Sequence, residues 1–341
     1  MATQTQTTLS DEVKTQYLRR LLLRAVPRLL HSRWAERARV TGYGSAEWRK
    51  FASLSAVTTA LTEGVTPDNT SVTISTVTAT PSFYGAYIQH TDELELTAYD
   101  PLLSNFSAIL GEQAGLSVDT LVRNALLGSL TKQYAGGGTA RNDINKTDDS
   151  IDYASFVKAL STLMAADALP VEGGQYIALI HPHSYATLMQ DTQFTNTFQQ
   201  ASPRSDSTNP MRTGFMGSFV GVDIYVSSNV KEYEDAGNGA GSSGTKDVYV
   251  ALMFGKEAYG VLGIGNLDPS EVDTGGMDAE SLTGNQNIKP VDIIVKPLGS
   301  EGAGDPLNQR ATTAWKTALD TQVLNSAWGI ELEHANDFTD D

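Results

Sequence analysis

"LTEGVTPDNTSVTISTVTATPSFYGAYIQHTDELELT", residues 61–97, reads as one long extended stretch. Val72 and Ile74 alternate with threonine or serine, Tyr87 follows in a second run, and Pro67 and Pro81 punctuate it. β-branched and aromatic residues suit a pleated strand. The many threonines and few large aliphatics leave little to bury, and a ribbon with so thin an apolar face is not stable alone in water. The stretch is therefore expected to project from the body of the protein and rest on something else.

Upstream, residues 1–10 are rich in Thr and Gln, and a helix is expected from Asp11, with Leu18, Leu22, Ala25, Val26 and Leu29 on its apolar face. Arg20, Arg24 and Arg28 share another face, and Pro27 kinks or divides the helix. Trp48, Phe51 and Leu54 are expected to anchor a short segment before the extended stretch. Downstream, "YDPLLSNFSAILGEQAGLSVDTLVRNALLGSL" is the strongest helix. Asp100 and Pro101 suit its start. Leu102, Leu103, Phe106, Ile109, Leu110, Leu121, Val122, Ala125 and Leu126 form its stripe, Gly111 and Gly115 offer points of bending, and "AGGG" at 135–138 is expected to stop it. "TARNDINKTDDS" then reads as a linker.

The middle alternates helix and strand. "DYASFVKALSTLMAADAL" is helical, "QYIALIH" a buried strand, "SYATLMQDTQFTNTFQQ" helical and "GFMGSFVGVDIYVSSNV" a loop and strand. Two glycine- and acid-rich stretches, 231–246 and 267–288, read as surface loops around a strand pair, "VYVALMF" and "AYGVLGI". The chain closes with "VDIIVKPL" and a candidate hairpin, in which Trp315, Thr317 and Leu319 alternate before residues 324–327 and Trp328, Ile330 and Leu332 after them.

Charge is uneven. Residues 11–50 hold ten Lys or Arg against four acids, net +6, which leaves −22 for the rest of a chain whose total is −16. Between Lys50 and Arg123 there is no Lys or Arg, while Glu63, Asp68, Asp92, Glu93, Glu95 and Asp100 lie in that interval. An acidic body repels nucleic acid except where a basic arm reaches it, and it attracts the arm of another copy. Cysteine is absent, which removes disulfides, thiolate metal sites and cysteine nucleophiles. No apolar run approaches the roughly 20 residues that span a bilayer, and the arginine-punctured N-terminal stretch does not read as a secretory signal.

Catalytic signatures are fragmentary. "GSFVG" at 217–221 lacks the spacing of a nucleophile elbow, "GIGNLD" holds half a dinucleotide fingerprint, and "FGKE" lacks the hydroxyl residue of a phosphate loop. "DINKTDDSID" lacks the Gly and Glu of a calcium loop. "ALIHPHSY", 178–185, places His181 and His183 around Pro182. Two imidazoles suit zinc or copper, but a site needs a third ligand and groups that orient the rings. The competing reading is a strand end, with Pro182 at the corner and Ser184 capping the next helix. No catalytic, cofactor-binding or metal-binding residue is assigned.

In order and in register, "LTEGVTPD" (61–68), "FYGAYIQHTDELEL" (83–96), "DPL" (100–102), "DPLNQ" (305–309) and "AWKTALDTQVLNSAW" (314–328) make the chain resemble the major capsid (coat) protein of tailed bacteriophages. The likeness is nearest the coat family with a short-tailed-phage prototype. The resemblance implies the α+β capsid fold that also builds the herpesvirus shell floor and encapsulins. Its parts would be an N-terminal arm (1–42), an extended β loop (43–98), a peripheral domain with a long spine helix (99–150 and 291–341) and an axial domain (151–290).

It implies a non-enzymatic role without cofactors: hexamers and pentamers of an icosahedral head around double-stranded DNA, in the virion capsid, assembled in the host bacterial cytoplasm. Arg20, Arg24 and Arg28 would meet DNA phosphates or an adjacent subunit's carboxylates, and Glu63, Val72, Ile74, Tyr84 and Tyr87 would contact the neighbouring subunit. Further expected partners are separate scaffolding and portal proteins and a possible decoration protein, with no membrane. Because the loop has no lysine beyond Lys50, a non-covalent shell is expected. The alternatives are an encapsulin-like compartment and a metal-dependent enzyme using His181 and His183.

Overall fold

A computed structural model describes residues 29–39, 45–97, 102–144, 149–194, 215–238, 245–263, 292–299 and 307–336, apart from positions 53, 62, 65, 67, 68, 172 and 308. The sequence-predicted arm helix, with Arg20, Arg24 and Arg28, lies outside the described residues, as do Asp100, Pro101 and the 267–288 stretch.

Three sheets hold the strands. One is five-stranded and contains β1 (Glu36–Arg39), β4 (Ser82–Thr91), β11 (Tyr259–Gly263), β12 (Asp292–Lys296) and β13 (Arg310–Val323). A seven-stranded sheet runs β5 (Thr131–Tyr134), β14 (Gly329–His334), β10 (Thr245–Phe254), β6 (Tyr176–Ile180), β8 (Val222–Val226), β7 (Phe215–Phe219), with β9 (Glu232–Asn238) also on β10. The third pairs β2 (Ala46–Phe51) with β3 (Ile74–Ala79) alone. Among the described residues four α-helices accompany them: α1 (Asp92–Thr97), α2 (Leu102–Leu126), α3 (Tyr153–Ala165) and α4 (Pro182–Gln190).

Helix α2 organises the core. Leu110, Ala114, Val118, Val122 and Leu126 recur every fourth residue, so they line one face, and all are buried. That face packs on both large sheets, against Val250, Leu252 and Phe254 of β10 and against Val261, Trp315 and Leu319 of β11 and β13. Each fully buried aliphatic side chain contributes roughly 1.5–3 kcal/mol. The alternate residues of β10, Ala251 and Met253, face the other way into a second core with Phe156, Leu160 and Leu163 of α3 and Leu188 of α4.

The root of the N-terminal segment is fastened to α2 by a buried, hydrogen-bonded pair of side chains, His31 and Asp119. Asp119 accepts from the His31 backbone amide and from His31 Nδ1, both at 2.7 Å, and from Asn229 Nδ2 at 2.8 Å. The Tyr259 hydroxyl donates to the His31 carbonyl. Trp34 packs on Tyr225 of β8 (ring centres 4.6 Å) and Phe254 of β10 (6.0 Å), while β1 pairs in parallel with β11. Residues 31–39 thereby hold α2 and both sheets together.

The fold departs from the sequence-based expectations where long-range pairing decides. The closing strands exist, but they are not a hairpin. β13 pairs with β4, β12 and β11, whereas β14 pairs with β10 and β5. The Leu324 and Asn325 amides donate to the Ala258 carbonyl, and a short 3-10 turn, Ser326–Trp328, carries the chain into the other sheet. Gly329 lets the chain pass close to Leu130: a Cβ there would lie 2.6 Å from Leu130 Cδ2 and would displace that side chain.

β10 and β11 likewise belong to different sheets, and part of the 231–246 stretch is strand β9. Helix α2 ends at Leu126, not at the "AGGG" run: Gly128 takes φ +78°, the left-handed turn that only glycine adopts cheaply, and β5 follows. Ile109 is exposed rather than part of the stripe, and Asp92–Thr97 turns into a helix because the Asp92 and Thr91 side chains accept first-turn amides.

The expected linker contributes Arg141, whose Nε and Nη2 each donate at 2.7 Å to the buried Glu333 carboxylate. These hydrogen bonds push the Arg141 guanidinium above its ordinary range. Neighbouring Glu331 accepts from the Gly128 amide at 2.8 Å, yet burial pushes its carboxyl above the usual carboxylate range.

Removing Asp119 leaves the buried donors of His31 and Asn229 without their acceptor, a loss of about 1–3 kcal/mol for each group left unsatisfied. Asp119→Ala is accordingly expected to lower the urea midpoint of the isolated chain by a corresponding amount, and an unchanged midpoint would show that the clasp is dispensable.

Candidate assembly surfaces

The surface that stands out is apolar and belongs to the stretch that decided the fold. Nine of the seventeen exposed large apolar side chains among the described residues fall between Phe51 and Tyr87, which marks this segment as the chain's unsatisfied face. Phe51, Leu54, Val57 and Leu61 are 63, 54, 85 and 76% exposed, and Val72, Ile74, Tyr84 and Tyr87 are 50, 55, 37 and 68% exposed. Glu63 is exposed at the turn between them. The expected anchors therefore divide. Trp48 packs so closely on Gly260 that a Cβ there would meet its ring at 2.6 Å, while Phe51 and Leu54 have no such burial. At the base, Ala79 is fully buried and the Thr80 amide donates to Asp320 at 2.8 Å.

β4 continues this surface. Its ten residues pair without a register shift with Arg310–Leu319, and among the described residues β13 is its only ladder partner. Proline and charged residues are absent from it. Register places Phe83 and Tyr87 opposite Ala318 and Ala314, and Ala314 opposite Ile294 of β12, so all three apolar side chains share one sheet face. Phe83 and Ile294 are 64 and 42% exposed, and Lys316 Nζ sits 4.6 Å from the Phe83 ring centre on that same face. The opposite face is the one α2 covers, through Trp315, whose Nε1 donates to Gln113 Oε1 at 3.1 Å. Sequence reading named Tyr84 and Tyr87 as contact residues and missed Phe83, Leu54, Val57 and Leu61; register puts Tyr87 on the open face and Tyr84, opposite Thr317, on the face of Trp315, and the period-2 match of β4 to β13 would have added Phe83.

The two histidines of "ALIHPHSY" sit at the end of β6. His181, not Ser184, caps α4: its Nδ1 accepts the His183 amide at 3.3 Å, Pro182 occupies the first helical position, and Ser184 is buried inside the helix. The rings of His181 and His183 are 4.8 Å apart and lie 5.0 and 6.2 Å from Tyr249, on which His334 stacks at 6.4 Å. Among the described residues no three His, Asp or Glu side chains gather as a metal site needs. His334, fully buried, donates Nδ1–H to the Ala335 carbonyl at 2.8 Å. Burial, with His181 nearby, pushes its pKa down to about 4.

A family model described as "Phage capsid protein" matches residues 71–329. Among solved structures, the capsid of Ralstonia phage GP4 is similar at 14% identity over 91% of each chain, with a TM-score of 0.67. The capsid of Cyanophage Pam1 is similar at 13% identity over 93% of each chain, TM-score 0.61. That of Helicobacter pylori bacteriophage KHP30 is similar at 12% identity over 90% of this chain and 89% of its own, TM-score 0.59. At these identities the likeness is one of fold. No curated protein matches the sequence.

Because the folded state holds His334 below its unfolded pKa of 6.5, the unfolded chain binds the extra proton between those values. Stability is fully present above pH 6.5 and falls as the pH drops toward 4, by about 3 kcal/mol from this residue. His334→Phe should flatten the urea midpoint across that window; a parallel pH profile would remove His334 as its source.

Proposed function

The chain belongs to the phage capsid protein family, and on that basis we propose that its copies form the hexamers and pentamers of an icosahedral head enclosing double-stranded DNA. Its role in the virion capsid is structural and not enzymatic. The observation that carries the reading is the concentration of exposed apolar side chains on 51–87, which no described part of the same protomer covers. A neighbouring subunit covers it in the shell, with Val72, Ile74, Tyr84, Tyr87 and Glu63 at the contact. Each contact is small, but every subunit is held by several neighbours in a closed assembly, so the contacts reinforce one another.

In this reading residues 1–42 are the arm, 43–98 the extended loop, 99–150 with 291–341 the peripheral domain around α2, and 151–290 the axial domain. β5 and β14 cross from the peripheral segments into the sheet on which the axial elements are built. Arg20, Arg24 and Arg28 bind carboxylates of an adjacent subunit in preference to DNA, because the remainder of the chain carries −22 and supplies acids in excess. Scaffolding and portal functions come from separate proteins, with room for a decoration protein, and assembly takes place in the host bacterial cytoplasm.

Electron microscopy of the expressed chain tests the reading: closed shells of regular diameter are expected, and phage-derived shells should contain DNA, not protein cargo. Val72→Asp with Ile74→Asp should leave subunit stability within about 0.5 kcal/mol, as at exposed sites, yet abolish shells. Shells of wild-type yield from that variant would remove the extended loop from the contact. Denaturing gels of heated shells should give the single-chain band, since the loop itself has no lysine beyond Lys50; a ladder of higher bands would disprove a non-covalent shell.

A further inference from the structure

The turn that fastens the N-terminal segment also gathers arginines without an acid of their own. Arg33 is exposed, with its guanidinium carbon 5.4 Å from the Trp34 ring centre and 5.7 Å from that of Tyr225. Arg37, four residues on, donates from Nη2 to the carbonyl of Ser32, the residue before Arg33, at 3.0 Å, and among the described residues its buried Nε has no partner. Burial pulls the Arg37 guanidinium below its ordinary range, and only the Tyr259 hydroxyl acts the other way. Arg123, at the end of α2, is committed to Asn229 and Asn124, and the nearby Asp119 is already held by His31 and Asn229. The lysine and arginine ion pairs among the described residues lie elsewhere, on Lys132, Arg141 and Lys256.

We propose that Arg33 and Arg37 form a seat for a carboxylate side chain of a second copy of this chain. The inference rests on the shell reading and adds to it the chemistry of one contact. A desolvated, unpaired guanidinium is unfavourable in the isolated subunit and favourable once an anion meets its fork, most of all a carboxylate that can accept two parallel N–H bonds. Arg37 is partly withdrawn from solvent, so a single side chain reaches it more readily than the rod of a DNA duplex. Copies of this chain supply such side chains in excess: forty acids stand against twenty-four bases, and the run from 51 to 122 has acids and no base.

The test compares wild type with Arg33→Gln and Arg37→Gln as full-length chains. Arg37→Gln removes an uncompensated cation, so its urea midpoint as a dissociated subunit should equal or exceed that of wild type. Both variants should raise the concentration at which shells appear by tenfold or more, and the wild-type threshold should rise with salt more steeply than theirs. Arg37→Lys should not restore the threshold, because an ammonium lacks the planar fork.

A lowered midpoint for Arg37→Gln would assign the residue to subunit folding and overturn the seat. Unchanged thresholds would overturn it as well, whether the variant shells hold normal DNA or less DNA, the latter pointing to phosphate contacts. A wild-type chain that forms no shells overturns the shell reading and the seat together; a wild type that assembles beside variants with unchanged thresholds overturns the seat alone.

Discussion

One helix has two sheets to cover. The buried stripe of α2, from Leu110 to Leu126, is shared between the seven-stranded sheet and the inner face of the five-stranded sheet. The seven-stranded sheet has α3 and α4 for its second face. The five-stranded sheet has no described helix on its second face, so Phe83, Tyr87 and Ile294 stay open. The chain continues that deficit into the ribbon of β2 and β3, which is too thin to bury anything by itself. A protomer built in this way is complete as a fold and incomplete as a surface, which is the condition of a subunit made to be one of many.

Much of this was legible in the sequence, and what was not has a common cause. Period-2 alternation identified β13 and β14, a run of apolar residues identified β6, and 3.6-residue spacing identified α2 and α3, because these signals are local. Partnership is not local. Alternation on either side of residues 324–327 is the same whether the strands pair with each other or leave for different sheets, and here Ala258 and Gly329 decide it. The His31–Asp119 pair was invisible for the same reason: its members are 88 residues apart, and each looks ordinary among its neighbours.

Smaller misses were competitions between rules. Gly128 ended α2 before the triple glycine could, and His181 took the cap that Ser184 was expected to supply. The exposed loop residues were partly legible, because a long β excursion with a thin apolar face already implies a partner outside the protomer. Phe83 was missed since its role follows from register with β13, a long-range fact.

Among the described residues one edge of β4 is unpaired, and this has a consequence for timing. Ten residues with no proline, charge or bulge present an unguarded row of backbone donors and acceptors, the kind of edge that soluble monomers blunt. Such an edge cannot distinguish the right strand from a wrong one by its hydrogen bonds alone. Fidelity then has to come from kinetics: subunits must be presented to growing shells faster than to one another's bare edges. A chain with an edge of this kind gains from a short residence as a free subunit, because an unpaired strand edge is a template for pairing with the wrong chain.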